Sequence, residues 1–147
     1  MKLKKGFTLI ELLVVIGILV LLLAITLIAI NPARQFSQSN NTKRRSDVLA
    51  ILDAIDQYSI DNKGQMPAGI NATAQNISNT GANLCSSLVP TYIASLPVDP
   101  LTNGGAPISN CAVAYNTNYQ VTNGPSNRIT VLAPATELAV PTISVTR

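Results

Sequence analysis

The sequence predicts an α+β fold in which a long N-terminal helix, membrane-spanning in its first half and amphipathic in its second, packs on a small antiparallel β-sheet. Three observations predict it. Residues 7–30 include 20 apolar residues in 24. Between Lys43 and Asn62 the apolar residues recur at helical spacing, and the last third of the chain alternates apolar with polar residues at strand spacing.

The run at residues 7–30 is long enough to cross a membrane. A 24-residue helix measures about 36 Å, against about 30 Å for the hydrocarbon core of a bilayer. A cleaved secretory signal has a shorter apolar region of about 7–15 residues and a small-x-small cleavage site, and Ala29-Ile30-Asn31 is a poor one. The positive-inside rule leaves the orientation undecided, because basic residues lie on both sides of the run.

Glu11 is the exceptional residue of this run. A carboxylate costs about 2.5–3.5 kcal/mol at the centre of a membrane, so its presence requires a reason. Two interpretations are open. Glu11 lies five residues after Gly6 and can reach the membrane surface by snorkelling, or it pairs with a buried cation that belongs to another molecule.

The segment Gly6-Phe7-Thr8-Leu9-Ile10-Glu11-Leu12, preceded by lysines and followed by unbroken apolar residues, resembles the N terminus of a type IV prepilin. The resemblance covers residues 2 to about 30. It implies that prepilin peptidase cuts between Gly6 and Phe7 on the cytoplasmic face and methylates the new N terminus at Phe7. A mature chain of 141 residues results. The resemblance also places the lysines in the cytoplasm.

The resemblance further implies a function. The chain is expected to be a pilin-like subunit that polymerises into a pilus through its N-terminal helix, with Glu11 of one copy pairing with the Phe7 amine of a neighbour. Its partners would be identical or related pilins, prepilin peptidase and the inner-membrane pilus or secretion assembly machinery. The first alternative is a type II secretion pseudopilin, and a more remote one is a membrane-tethered extracytoplasmic binding domain. The predicted location is the bacterial cytoplasmic membrane, crossed once with the head extracytoplasmic, and then the pilus on the cell surface.

The predicted organisation has four parts. Residues 1–6 form the cleaved leader, residues 7–30 the transmembrane and filament-core helix, residues 31–62 its kinked, amphipathic extension, and residues 63–147 the globular α+β head. At the second boundary, proline removes a helical hydrogen bond and clashes with the preceding turn. Either Asn31 caps a fresh helix with Pro32 in its first turn, or one long helix kinks at Pro32.

The amphipathic extension carries one apolar stripe with spacings of three and four. Its members are Val48, Ile51, Leu52, Ile55, Tyr58 and Ser59. Residues 35–42 are weak helix formers. The basic cluster at residues 43–45 is predicted to be a solvated turn, with a contact to lipid phosphates just outside the membrane as the alternative. Gly64 is in the usual position for a left-handed helix cap, so the helix is predicted to end at Asn62-Lys63-Gly64.

The head is predicted to contain three strands and one short helix. Residues 65–83 lack periodicity and are predicted to form a surface loop. The spacing of Leu84, Leu88, Tyr92 and Ile93 predicts a short helix that ends near Leu96-Pro97. Residues 113–121 alternate at strand spacing, and residues 128–132 return as the second strand of a hairpin. Residues 142–146 are predicted to be a third or an edge strand.

Cys85 and Cys111 are the only two cysteines of the chain. The resemblance places the head outside the cytoplasm, where disulfides form, and a disulfide-bounded loop near the C terminus is familiar in pilins. It therefore implies a Cys85–Cys111 disulfide, with two unpaired thiols as the alternative. Such a bond would close a loop of about 27 residues and stabilise the fold by very roughly 3–4 kcal/mol on the chain-entropy model.

Residues 96–100, Leu-Pro-Val-Asp-Pro, also resemble a pseudopilin motif. The major secretion pseudopilins commonly bind calcium in this part of the head. Here Asp99 is the only carboxylate between Lys63 and Thr136, whereas calcium requires several oxygen ligands. The calcium ligands of that family therefore cannot be transferred to this chain.

The composition argues against an enzyme. Only 12% of the 147 residues are charged, against about 25% in an average soluble protein. The chain has no histidine, which excludes a Ser-His-Asp triad, a Cys-His nucleophile and a histidine-ligated metal. It also lacks a phosphate-binding loop, a dinucleotide fingerprint and a nucleophile elbow. We therefore predict no enzymatic activity, no cofactor and no metal site.

The net charge of +3 comes entirely from the first six residues. Lys2, Lys4 and Lys5 precede the apolar run, and the remaining seven basic residues are matched by seven acidic ones. A basic patch spread over a folded domain would indicate nucleic-acid binding, but here the excess is confined to one end. The sequence therefore predicts a positively charged leader and no nucleic-acid partner.

Overall fold

The computed structural model describes residues 6–147, so the leader lysines Lys2, Lys4 and Lys5 lie outside the described residues. The described chain divides into two compact units, with the boundary between Phe36 and Ser37. Its elements are three helices, α1 Leu9–Ile30, α2 Pro32–Asp61 and α3 Cys85–Leu88, and four strands, β1 Gln75–Ser78, β2 Asn116–Asn123, β3 Ile129–Ala133 and β4 Ile143–Thr146.

The N-terminal unit consists mainly of α1, which is apolar on every side. Its mean hydropathy is 3.4 over the most apolar window, and none of its residues is buried. At 22 residues it is about 33 Å long, enough for a hydrocarbon core. It is the one helix among residues 6–147 that is long and apolar enough to span a membrane.

Between α1 and α2 the helical backbone is interrupted at Asn31. This residue has φ 48° and ψ 80°, a left-handed conformation that asparagine tolerates better than most residues. Its side-chain Oδ1 accepts a hydrogen bond from the Arg34 N–H at 3.3 Å, and Pro32 is the first residue of α2. Of the two arrangements open for Asn31-Pro32, the structure has the fresh helix with proline in its first turn.

The C-terminal unit is a two-layer α+β arrangement, which confirms the predicted fold class. Its sheet has the order β1-β2-β3-β4, and every neighbouring pair is antiparallel. Four of the six residues of the predicted stripe are buried and pack in one core with the inward-facing residues of the sheet, whereas Tyr58 and Ser59 are half-buried. The completely buried members of this core include Val48, Ile51, Leu52 and Ile55 of α2, Tyr119 and Val121 of β2, and Val131 of β3.

The three predicted strands are confirmed with small shifts. The first begins at Asn116, three residues later than expected, and Thr117, Tyr119 and Val121 are its buried positions. It pairs with β3 in the predicted hairpin, in the register Val121 to Val131. β4 is an edge strand, because its only partner in the sheet is β3.

Two predictions for the head are wrong in part. Residues 65–83 were expected to be a loop, yet β1 pairs with β2 and buries Ile77 completely. The short helix comprises one turn, Cys85–Leu88, because Pro90 follows and proline cannot continue a helix. The helix end at Asn62-Lys63-Gly64 is confirmed, and both Lys63 and Gly64 have positive φ, 57° and 86°.

Candidate functional site

The N-terminal site begins with three residues that precede α1. Gly6, Phe7 and Thr8 have no regular secondary structure and are exposed. A Cβ atom added at Gly6 would meet no other atom within 4 Å, so the fold itself does not require glycine there. The peptide bond between Gly6 and Phe7 therefore lies in an accessible, irregular segment of the kind that a peptidase can bind.

Thr8 and Glu11 form a capping box that begins α1. The Thr8 N–H donates to Glu11 Oε2 at 2.8 Å, and the Thr8 hydroxyl donates to the same oxygen at 2.7 Å. In return, the Glu11 N–H donates to Thr8 Oγ1 at 3.3 Å. This arrangement satisfies backbone donors that the first helical turn leaves without partners. The spacing Thr-x-x-Glu is the signal from which this second role of Glu11 could have been predicted.

The surroundings of Glu11 are apolar. Phe7, Ile10, Val14 and Val15 line a shallow groove beside it, and Phe7 is 84% exposed. Both hydrogen bonds from Thr8 end on Oε2, so neither uses Glu11 Oε1. The arrangement presents a carboxylate oxygen within an apolar surface, where a cation from another molecule can reach it. The pairing of Glu11 with Phe7 of a second copy stays a prediction.

Arg44 is the centre of a second polar site, and its prediction as part of a solvated turn is wrong. It lies inside α2 and is completely buried. Its guanidinium donates to both carboxylate oxygens of Asp99, from Nε at 2.7 Å and from Nη2 at 3.2 Å. Nη1 donates to Glu137 Oε2 at 2.7 Å and to Asn41 Oδ1 at 2.9 Å. Such bidentate pairs are among the strongest hydrogen-bonded contacts in proteins.

The position of Arg44 follows from helical spacing. It precedes Val48 by four residues and Ile51 by seven, so it lies on the same stripe that faces the core. Its neighbours Lys43 and Arg45 point away from the core and are exposed. The extension of the stripe by one turn towards the N terminus is the signal from which a buried arginine could have been predicted.

Glu137 connects the loop before β4 to the first turns of α2. Its carboxylate accepts hydrogen bonds from Ser37 Oγ and Asn40 Nδ2, both at 2.9 Å. Its backbone exchanges two further hydrogen bonds with the Asn41 side chain. The hydrogen bond from Arg44, followed by that from Asn40, holds the pKa of Glu137 below its ordinary value. Ser37, Asn40 and Asn41, which are weak helix formers near the start of α2, are thus held in place by hydrogen bonds to Glu137.

Both carboxylate oxygens of Asp99 accept hydrogen bonds from groups of the same chain. Besides Arg44, it accepts a hydrogen bond from the Leu101 N–H at 3.0 Å, and it is completely buried. In the position where the family resemblance points to calcium, this chain has a carboxylate neutralised by a guanidinium. Within residues 6–147, no group of three His, Cys, Asp or Glu side chains is arranged to hold a metal ion.

Most other carboxylates of the C-terminal unit also have partners. Asp47 pairs with Lys43 at 2.7 Å and accepts a hydrogen bond from the buried Tyr119 hydroxyl, also at 2.7 Å. Burial, reinforced by that hydrogen bond, raises the pKa of Tyr119. Asp53 and Asp56 both pair with Arg147. These aspartates tie α2 to Tyr119 of β2 and to Arg147, which follows β4.

The stability of the Glu137→Gln variant is expected to fall less steeply than that of the wild type as the pH is lowered. Because the pKa of Glu137 is lowered in the folded protein, its contribution is complete above its unfolded pKa of about 4.3 and is lost as the pH falls through the folded pKa. Thermal melting of the full chain in detergent between about pH 3 and pH 7 tests this. The control is Asp61→Asn, an exposed carboxylate outside the network. Superimposable profiles for wild type and Glu137→Gln would contradict the expectation.

Cys85 and Cys111 form a disulfide, with their Cα atoms 5.4 Å apart. Cys85 is completely buried at the start of α3, and Cys111 packs against the same core. The loop that the disulfide closes contains Asp99, so the Arg44 ion pair ties this same loop to α2.

Removal of the disulfide is expected to destabilise the C-terminal unit. The double variant Cys85→Ser, Cys111→Ser should lose about 2–5 kcal/mol in the free energy of unfolding, because the unfolded chain regains the entropy of the open loop. Denaturant unfolding of the full chain in detergent gives the value. Wild type treated with a reductant is the matched control and should show the same loss. Equal midpoints for oxidised and reduced wild type would refute a stabilising role.

The N-terminal segment matches the family model described as the prokaryotic N-terminal methylation motif, over residues 1–27. This motif is the signature of type IV pilins and pseudopilins. No curated protein and no solved structure matches the chain. The match therefore supports the pilin or pseudopilin class through the segment that contains Gly6, Phe7 and Glu11.

Proposed function

We propose that this protein is a type IV pilin-like structural subunit that is processed by prepilin peptidase and polymerises through α1. The observation that carries the proposal is the methylation motif at residues 1–27, which coincides with a helix whose apolar surface is exposed all round. A helix that is apolar on every side requires lipid or other apolar helices around it. A pilin uses both environments in succession, first the membrane and then the filament core.

Processing is proposed to occur between Gly6 and Phe7, with the leader lysines on the cytoplasmic side. The exposed, irregular backbone at Gly6 and Phe7 supports this step, because a peptidase must bind its substrate in an accessible conformation. Hydrolysis creates a free amine on Phe7, which is then methylated. The methylated amine is still basic and therefore remains cationic when it is protonated.

Assembly is proposed to join Glu11 of one copy to the Phe7 amine of the next. The capping box leaves Glu11 Oε1 without a hydrogen bond from Thr8, so a neighbour's cation can bind there. In the low dielectric of a helix bundle an uncompensated charge is costly, and the pair therefore selects one register between helices. The interruption at Asn31, followed by Pro32, is proposed to let the helical segment bend where it leaves the bundle.

A type II secretion pseudopilin is the second candidate, because the methylation motif covers both classes and residues 96–100 resemble a pseudopilin sequence. The pairing of Asp99 with Arg44 favours the pilin, since it occupies the carboxylate that a calcium-binding head would need. A tethered binding domain would use α1 only as an anchor and would not need Glu11. For either filament, the partners are copies of itself or related subunits and the inner-membrane assembly machinery.

Mass spectrometry of the mature protein tests the proposal. The expected N terminus is N-methyl-Phe7 on a chain of 141 residues, because the leader of six residues is removed from 147. The control is Gly6→Val, which the fold tolerates because a Cβ at this position meets no other atom. This variant should accumulate as the uncut chain with an unchanged melting temperature. Recovery of the wild-type protein with Met1 still in place would refute the proposal.

A further inference from the structure

Asp61 is set apart from the other carboxylates of the C-terminal unit. Asp99 and Glu137 pair with Arg44, Asp47 pairs with Lys43, and Asp53 and Asp56 pair with Arg147. Among residues 37–147, Asp61 is the one acidic side chain that lies in no ion pair. Every other carboxylate of this unit is therefore paired with a cation of the same chain, whereas Asp61 has the neighbouring Tyr92 hydroxyl as a hydrogen-bond partner and no cation. Its negative charge is left uncompensated within the subunit.

The position of Asp61 also disfavours a role in the stability of the subunit. It is the last residue of α2, where the helix dipole presents partial negative charge and a carboxylate is unfavourable. The preceding residue, Ile60, is 77% exposed, more than any other large apolar residue of the C-terminal unit. Together with Tyr92 these residues line one shallow surface, here called the Asp61 edge. It combines a protruding apolar side chain with a negative charge.

A complementary surface includes Arg45, which precedes Asp61 by 16 residues on α2. Arg45 and Leu49 of α2, with Val140, Ile143 and Val145, line a cleft of about 390 Å³ beside the free edge of β4. This surface is here called the Arg45 groove. Leu49 is 42% exposed on its wall. The groove combines a concave apolar surface with a positive charge.

Arg45 is distinguished from the other exposed cations by this setting. Three basic residues of the described C-terminal unit lie in no ion pair, namely Arg45, Lys63 and Arg128. Lys63 is next to the helix end that carries Asp61, and Arg128 lies in the turn between β2 and β3. Of the three, Arg45 is the one that lines an apolar groove.

We propose that the Arg45 groove of one copy binds the Asp61 edge of a second copy, with Arg45 pairing with Asp61 and Ile60 packing against Leu49. The inference rests on the proposed function and adds a contact between heads to the contact between N-terminal helices. The two surfaces are 16 residues apart on α2, about 24 Å along its axis. A contact between two different surfaces is heterologous, so each copy binds one neighbour with each surface and the contact propagates along a polymer.

A charge swap tests the contact in the full-length chain. Arg45→Glu and Asp61→Arg should each lower the sheared filament fraction of producing cells about tenfold or more, because like charges then face each other. The double variant carrying both changes should recover most of the wild-type yield, since the pair is restored with reversed polarity. Arg128→Glu is the matched control, with the same charge change at an exposed arginine outside the groove, and it should assemble normally.

A cross-linking experiment gives an independent readout. Cysteines at Arg45→Cys and Asp61→Cys in one chain should yield a ladder of dimers and larger species with a short bismaleimide, whereas either cysteine alone should not. Loss of the ladder would overturn the contact, as would a double charge variant no better than the single ones. The head contact is refuted if both single charge variants assemble as fully as the wild type. The pilin function still stands in that case, provided that the wild type forms filaments and the Glu11→Gln variant does not. If wild type forms no filament, the proposed function fails and this contact with it.

Discussion

Exchange of Glu11 for glutamine is expected to lower filament incorporation more than about 100-fold while membrane insertion stays at the wild-type level. Breaking a buried ion pair costs about 3–5 kcal/mol, and each 1.4 kcal/mol corresponds to about a factor of ten. Glutamine keeps an oxygen that can accept the hydrogen bond of the Thr8 N–H, so α1 should still begin at the same residue. Insertion does not suffer, because a neutral side chain is less costly in the membrane than a carboxylate.

The measurement compares the membrane fraction with the sheared filament fraction by immunoblot. Thr26→Val is the matched control in the same helix. The Thr26 hydroxyl already donates to the Leu23 carbonyl of its own helix at 2.9 Å, so it has no need of a partner in another copy. Normal filament yield from Glu11→Gln would refute the pairing with Phe7 and would leave the capping box as the role of Glu11.

Exchange of Arg44 for methionine is expected to be the most destabilising single substitution in the C-terminal unit. It leaves the completely buried Asp99 without its counter-charge, and removal of one partner of a buried pair typically costs about 3–5 kcal/mol. That is a large part of the roughly 5–15 kcal/mol by which a domain is stable. Glu137 also loses one of its hydrogen bonds to α2, while those with Ser37, Asn40 and Asn41 remain.

Denaturant unfolding of the full chain in detergent provides the measurement. Arg45→Met is the matched control, because it changes the neighbouring exposed arginine in the same way and should alter the free energy of unfolding by less than about 0.5 kcal/mol. Arg44→Lys should recover the stability only in part, since an ammonium group cannot form the bidentate contact with Asp99. Equal stability of the Arg44 and Arg45 variants would show that the buried pair contributes nothing.

The fold could be predicted wherever one element carries its own periodic pattern. The stripe of α2 and the alternation of β2 each repeat over several residues, so burial of Val48 or Tyr119 follows from spacing alone. β1 could not be predicted, because its four residues, Gln-Asn-Ile-Ser, include one large apolar side chain and have low strand propensity. It becomes a strand through its backbone hydrogen bonds to β2, which a local pattern does not reveal.

The N-terminal site and the Arg44 site differ in how far apart their residues lie in the sequence. Gly6, Phe7 and Glu11 lie within six residues, so their spacing could be read directly from the sequence. The Arg44 site joins residues separated by 55 and 93 positions, and no local pattern indicates such partners. The sequence shows that Arg44 lies on the apolar stripe of α2, so its burial could have been predicted. Its partners Asp99 and Glu137 are known only from the tertiary structure.

The hydrogen bond between Ser37 and Glu137 spans 100 residues, and it has a consequence for the order in which the chain folds. Residues 35–42 have little helical preference of their own, and they gain support from a side chain that is synthesised near the end of the chain. Until residue 137 is available to the folding chain, the start of α2 therefore lacks these contacts and remains only marginally helical. A chain that ends before Glu137 should lose helical order at residues 35–42, although its own residues there are unchanged.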